Sequence, residues 1–216
     1  VIAIAPTATP EFPFDPKQFD AGYYGGQARG GFGEEINWEH PQQQAELQNK
    51  FDIIKEDGDF ESILFVGCAF GNEVRFFRMR NKEAEGVEIS EYAVSKCAEE
   101  FKKWVHHYNG WSLGEFKDKS FDIVASFDVL TLMPDEMLRK LAPEMRRVCR
   151  HRIVIRTPVD KHADQQGQYV GNDGVTFRCL TTAQWCELFE QDGFKLKRSP
   201  DSNNVPSEMY FIFSRA

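Results

Sequence analysis

From residue 41 onward the chain alternates between unbroken apolar runs and stretches with helically spaced apolar positions. Ile63-Leu64-Phe65-Val66 is such a run, the pattern of a strand buried on both faces inside a parallel sheet. After a short turn, Val74, Phe77 and Met79 recur at roughly helical spacing. "EAEGVEIS" reads as a second strand ending near Glu88, Phe121–Phe127 as a third, and "HRIVIRTPV" as a fourth stopped by Pro158. "FKLKRS" and "EMYFIFS" are two late strands, and a degraded one is expected near Val105–Tyr108.

Helices fall between these strands. Pro41 suits the first position of a helix running through Ala45, Leu47, Phe51 and Ile54, with "EDGD" as the turn after it. Ser90 is placed to cap a helix over Glu91–Lys103. A helical region begins at Pro134 and is interrupted or restarted at Pro143. Thr181 or Thr182 caps a helix through Trp185, Leu188 and Phe189 that ends at Gly193. Strands separated by helices predict an α/β fold with a doubly wound, mostly parallel sheet.

Ahead of residue 41 the pattern is different. Residues 1–20 are Pro-rich and aperiodic, so an extended arm is expected. "AGYYGGQARGGFG", Ala21–Gly33, packs six of the chain's 16 Gly around two adjacent Tyr. It reads either as a lid over a site or as a plain linker. The expected organisation is an arm and Gly-rich lid over residues 1–40 and one sheet domain over 41–216.

Composition narrows the possibilities. The chain has 216 residues, 41% of them hydrophobic, enough for one domain with a substantial core. No apolar run approaches the ~18 residues of a membrane span, and the opening VIAIA is too short for a signal-peptide core. Five Cys without regular spacing suit free thiols in a reducing, cytoplasmic setting and no metal site. The net charge of −8 argues against broad nucleic-acid affinity. The basic stretch Arg139, Lys140, Arg146, Arg147, Arg150, Arg152 and Arg156 reads mostly as a solvated face.

In a doubly wound sheet the ligand lies beyond the carboxyl ends of the strands. That rule selects the turn Gly67–Gly71, Glu88, Phe127–Leu132 and Arg156–Val159, and it leaves most of the basic stretch at the opposite end. The turn holds Gly at both ends with Cys68 and Ala69 inside. Either the backbone approaches a ligand there, or a tight strand-to-helix connection needs glycine for geometry alone. Cys68 suits the turn by its smallness. Glu88 ends the second strand 21 residues after Gly67, the position of a carboxylate that accepts from a ribose diol.

The ordered segments "ILFVGCAFG", "GVEISEYAV", "FDIVASFDVLTLMP", "VIRTP" and "TTAQWCELFEQDGFKL" resemble the Rossmann-like class I S-adenosylmethionine-dependent methyltransferases. The resemblance covers roughly Ser62 to Phe213. It implies S-adenosylmethionine as cofactor, with Gly67, Cys68, Ala69 and Gly71 along its methionine end. Glu88, with Ile89 beside it, would hold the ribose; Asp128 and Val129 would lie beside the sulfonium, and Tyr23 and Tyr24 would close over it. Some positions depart from the family pattern. Phe65 replaces the usual acid before the first Gly, Ala69 the middle Gly, and Thr131-Leu132 the acid–imidazole pair. Asn109, Gly110 or Trp111 would serve the adenine side.

The expected reaction is methyl transfer to an O or N atom of a small-molecule or glycan-type acceptor, with no nucleic acid and no membrane involved. Asp128 lies at the transfer point, and His162 is the first candidate for a base, followed by Asp164, Asp173 and His40. Trp38, Tyr23 and Tyr24 are candidate walls for the acceptor. The competing reading is a non-catalytic S-adenosylmethionine-binding module. A nicotinamide enzyme fits poorly, because the turn G-C-A-F-G-N lacks the second and third Gly of G-x-G-x-x-G.

Overall fold

The structure is a computed structural model that describes residues 17, 19–24, 37–157, 167–170, 176–200 and 210–215. Chain order runs α1 (Ala21–Tyr24), α2 (Pro41–Glu56), β1 (Ser62–Val66), α3 (Asn72–Arg78), β2 (Glu83–Glu88), α4 (Glu91–Lys96) and β3 (Val105–His107). It continues with β4 (Phe121–Phe127), α5 (Asp135–Val148), β5 (Cys149–Arg156), β6 (Gly167–Val170), β7 (Thr176–Cys179), α6 (Thr182–Phe189), β8 (Phe194–Arg198) and β9 (Tyr210–Arg215). Seven strands form one sheet in the order β3-β2-β1-β4-β5-β9-β8. The first five run parallel, while β9 is antiparallel to both β5 and β8. Strand order therefore reverses between β1 and β4, where such sheets bind ligands.

Alternation along the strands builds two cores. Leu64, Val66, Val124, Ile153 and Ile155 point to the face covered by α5 and α6, where Leu138, Leu141, Trp185 and Phe189 are buried. Ile63, Phe65, Ile123, Ala125 and Val154 point to the face covered by α2 and α3, against Leu47, Phe51, Ile54 and Phe77. The central strands β1 and β4 are buried at every position, the signature of helices on both sides.

Caps fix the helix starts. Pro41 opens α2 behind the imidazole of His40, which accepts from the Gln42 N–H. Ser90 Oγ accepts from Ala93 N–H at the start of α4, and Thr181 and Gln184 form a capping box on α6.

Several expectations need correction. The helix after Ser90 stops at Lys96, followed by a turn and a 3₁₀ segment at Lys102–Trp104. Pro143 does not interrupt α5, which runs unbroken with the proline inside it. The long loop after Pro158 contains the antiparallel pair β6–β7. Met79 is exposed, one step past the buried Val74 and Phe77. The basic stretch is a solvated face only in part: Arg139, Lys140 and Arg150 are exposed, and the others are tied into the fold. Arg146 binds Asp192, Gln191 and the Leu188 carbonyl, and Arg152 binds the carbonyls of Ile54 and Gly58. Arg147 ties Glu144 and Asp118 to the carbonyls of Leu113 and Phe116.

Candidate active site

A cavity of ≈ 220 Å³ opens at the carboxyl ends of β1, β2, β4 and β5, with α1 and α2 closing its sides. Its floor is the turn after β1. Gly67 has φ +78°, and a Cβ there would run into the isopropyl group of Val129. Gly71 has φ +74°; a Cβ would stand 2.8 Å from Val105 Cγ2 and 3.0 Å from Cys97 Sγ. Both glycines therefore serve chain geometry and close packing. Gly71 lies below the cavity and starts α3; Gly67, Cys68 and Ala69 line it. The Cys68 thiol is pushed well up by burial and by the nearby carboxylates of Glu88 and Glu73, so it stays protonated. Ala69 occupies left-handed backbone at φ 46°, where a Cβ costs roughly 1–2 kcal/mol. That conformation aims its N–H at Glu88.

Glu88 is 5% exposed, not the partly exposed carboxylate expected of a strand end. Its two oxygens accept from the N–H of Ala69 at 2.8 Å and of Ser90 at 2.9 Å. Burial raises its pKa, and these backbone bonds oppose the rise. Tyr24 and Tyr108 lie within its field, and burial followed by Glu88's own charge holds both phenols up. The Tyr108 hydroxyl is buried without a hydrogen-bond partner among the described residues.

The other end of the cavity is a chain of charges. Lys50 on α2 is buried and reaches Glu46 at 2.9 Å and Glu73 at 2.8 Å. Arg156, at the end of β5, reaches Glu46 at 2.9 Å and binds Asp128 Oδ2 through both Nε and Nη2. Burial works against the charge on both cations, and the carboxylates more than offset it, so both are held charged. Asp128 itself sits in left-handed backbone at φ 60° just past β4.

Gly67, Cys68, Ala69, Glu88, Ile89, Asp128, Val129, Tyr23 and Tyr24 all line this one cavity. Tyr23 and Tyr24 are not in an open loop: they belong to α1, are 7% and 6% exposed, and pack with Phe19, Phe70 and Tyr92. The Phe19 carbonyl accepts from Ser90 Oγ at 2.5 Å, pinning this segment beside Glu88. Trp38 packs on Phe76 and Arg75, away from the cavity, and His40 caps α2. Asn109 accepts from the N–H of Trp111 and Ser112 in its own turn, and none of Asn109, Gly110 and Trp111 lines the cavity. His162, Asp164 and Asp173 lie outside the described residues.

Sequence reading missed Tyr108, Glu46, Lys50 and Glu73. One signal was available: Lys50 falls in the apolar stripe Leu47, Phe51, Ile54, where a lysine needs buried partners. Its i−4 neighbour Glu46 is one of them.

Residues 64–154 match a family model described as a methyltransferase domain. A curated relative from Haemophilus influenzae, described as an uncharacterized protein, is 27% identical over 155 residues, covering 62% of this chain and 59% of that relative. The chain thus spans about three fifths of that relative's length. Among solved structures, the PH0226 protein of Pyrococcus horikoshii OT3 superposes with a TM-score of 0.66 at 16% identity, over 86% of this chain and 96% of that one. CalS10 of Micromonospora echinaspora, described as an amino pentose methyltransferase with S-adenosylmethionine bound, gives a TM-score of 0.59 at 13% identity, over 83% and 92%. Residues 64–154 are thus similar to a methyltransferase domain, and the fold is that of the Rossmann-like methyltransferase structures it superposes on.

Proposed function

We propose that this cavity holds S-adenosylmethionine and that the enzyme methylates an O or N atom of a small-molecule or glycan-type acceptor. The observation that carries the reading is Glu88: a buried carboxylate held by two backbone N–H groups at the end of β2, lining the cavity. A ribose diol supplies two further donors to those oxygens. The orphaned hydroxyl of Tyr108 fits the same occupant, because a buried polar atom without a partner calls for one from a ligand. In this reading Ile89, Tyr108 and Met133 face the nucleoside. The Gly67–Ala69 turn, Asp128 and Val129 face the methionine and transfer side. Tyr23 and Tyr24 cover the nucleoside end, and the acceptor enters beside Asp128.

The bound cofactor supplies an electrophilic methyl group, and the protein's part is alignment and exclusion of water, worth ~7–11 kcal/mol when geometry is right. The amino pentose methyltransferase CalS10 supports an acceptor of the small or glycan type. A melting scan tests the reading. S-adenosylhomocysteine at 100 times its dissociation constant should stabilise the fold by ~2.7 kcal/mol, and NAD should leave it unchanged. Stabilisation by NAD and none by S-adenosylhomocysteine would reject it.

A further inference from the structure

Asp128 uses only one of its carboxylate oxygens. Oδ2 takes two donors from Arg156, while Oδ1 is buried with no hydrogen-bond partner among the described residues. A carboxylate oxygen only accepts, so whatever completes Oδ1 must bring an N–H or O–H. The surrounding charges narrow the choice. Glu46, Glu73 and Asp128 face Lys50 and Arg156, which leaves one negative charge in excess. A hydroxyl acceptor also needs a base to take its proton. Among the described residues no histidine lines the cavity, and its lysine, Lys50, is held between two glutamates. An amine supplies the donor, attacks through its lone pair once it has lost its own proton to solvent, and becomes cationic as it reacts, matching the excess charge.

The geometry points to an amine as the methyl acceptor, with Asp128 Oδ1 accepting an N–H of the reacting nitrogen. This rests on the cofactor reading above and narrows it to one acceptor class. The nitrogen lone pair forms the new N–C bond, and the electron pair of the broken S–C bond stays on sulfur. The ammonium proton so produced is held by Oδ1 until solvent removes it. Arg156 fixes the carboxylate plane through Oδ2 and keeps Oδ1 turned from itself.

Calorimetry with three ligands tests this. Sinefungin carries a primary amine on carbon in place of the methylated sulfur, S-adenosylmethionine carries the positive charge without an N–H at that point, and S-adenosylhomocysteine carries neither. Sinefungin should bind the wild type roughly 10- to 100-fold more tightly than S-adenosylhomocysteine at neutral pH, with S-adenosylmethionine in between. The preference should shrink as pH approaches the ordinary pKa of an alkyl amine, about 10.4. In Asp128→Asn the ratio of sinefungin to S-adenosylhomocysteine affinity should fall to within about threefold. Equal wild-type affinities for sinefungin and S-adenosylhomocysteine would overturn the inference while leaving the cofactor assignment standing; this comparison needs no variant. S-adenosylmethionine binding as tightly as sinefungin, or a sinefungin preference that survives Asp128→Asn, would also overturn it. Binding of none of the three would remove the cofactor reading and this inference with it.

Discussion

The two ends of the cavity are built on different principles. At the end proposed for the nucleoside, Glu88, Ile89 and Tyr108 follow directly from the ends of β2 and β3, and Glu88 is satisfied by backbone N–H groups from neighbouring turns. At the proposed transfer end, the i,i+4 pair Glu46–Lys50 apart, charge meets charge brought from afar. Glu46 and Lys50 come from α2, Glu73 from α3, Asp128 from beyond β4 and Arg156 from β5. The first arrangement leaves binding separable from folding. In the second, the same ion pairs shape the site and hold α2 against the sheet, so a change there touches both.

The largest expected effect follows from cutting the charge chain. Lys50→Met leaves Glu46 and Glu73 facing each other beside the cavity. Loss of one partner from a buried pair costs ~3–5 kcal/mol, and the low end applies because the Glu46 side chain is 37% exposed. Urea unfolding at neutral pH measures this, and adding Glu73→Gln should recover part of the loss. An unchanged midpoint would remove the claimed coupling between site and fold.

The converse test is Glu88→Gln. It should weaken S-adenosylhomocysteine binding by ~1.5–3 kcal/mol by calorimetry while leaving the urea midpoint level or slightly higher. Equal losses of stability in Lys50→Met and Glu88→Gln would erase the contrast between the two ends.

Glu88 also predicts two pH effects of opposite sign. Its pKa is raised in the folded protein, so the fold takes up a proton more readily than the unfolded chain does. Glu88's contribution to stability therefore rises as pH falls from neutral through that raised pKa. Affinity for S-adenosylhomocysteine should fall over the same window, because a protonated carboxyl accepts fewer bonds from a ribose diol. Glu88→Gln should abolish both trends. A smaller effect is expected of Tyr108→Phe, which should cost ~0.5–1.5 kcal/mol in S-adenosylhomocysteine binding with no loss of stability, since the hydroxyl has no partner among the described residues.

The same contrast explains what was legible in the sequence. Buried strands announce themselves as apolar runs, and Phe121–Phe127 stands with the bounds its pattern gives. Residues at strand ends inherit that legibility, so Glu88 and Asp128 could be placed without coordinates. Tyr108 closes the strand expected near Val105–Tyr108 but was not read as a site residue, because a strand of three residues, Val105–His107, has no periodicity to show which side chain meets the cavity. The glycine turn was ambiguous for a different reason. A glycine required by ligand approach and one required by Val129 or Val105 leave the same letter in the sequence. Beyond the i,i+4 pair Glu46–Lys50, the charge chain was illegible because its members are far apart along the chain, with Glu46 and Arg156 separated by 110 positions. The arginines of α5 misled in the same way: their partners are loop carbonyls and carboxylates that only the fold brings near.

The most direct test of this division is a crystal structure with S-adenosylhomocysteine bound. The ribose hydroxyls should lie on Glu88, the nucleoside should meet the Tyr108 hydroxyl, and the sulfur should face Asp128 and Val129. A nucleoside seated among Glu46, Lys50 and Arg156, or a ligand that leaves Glu88 without a new donor, would contradict it.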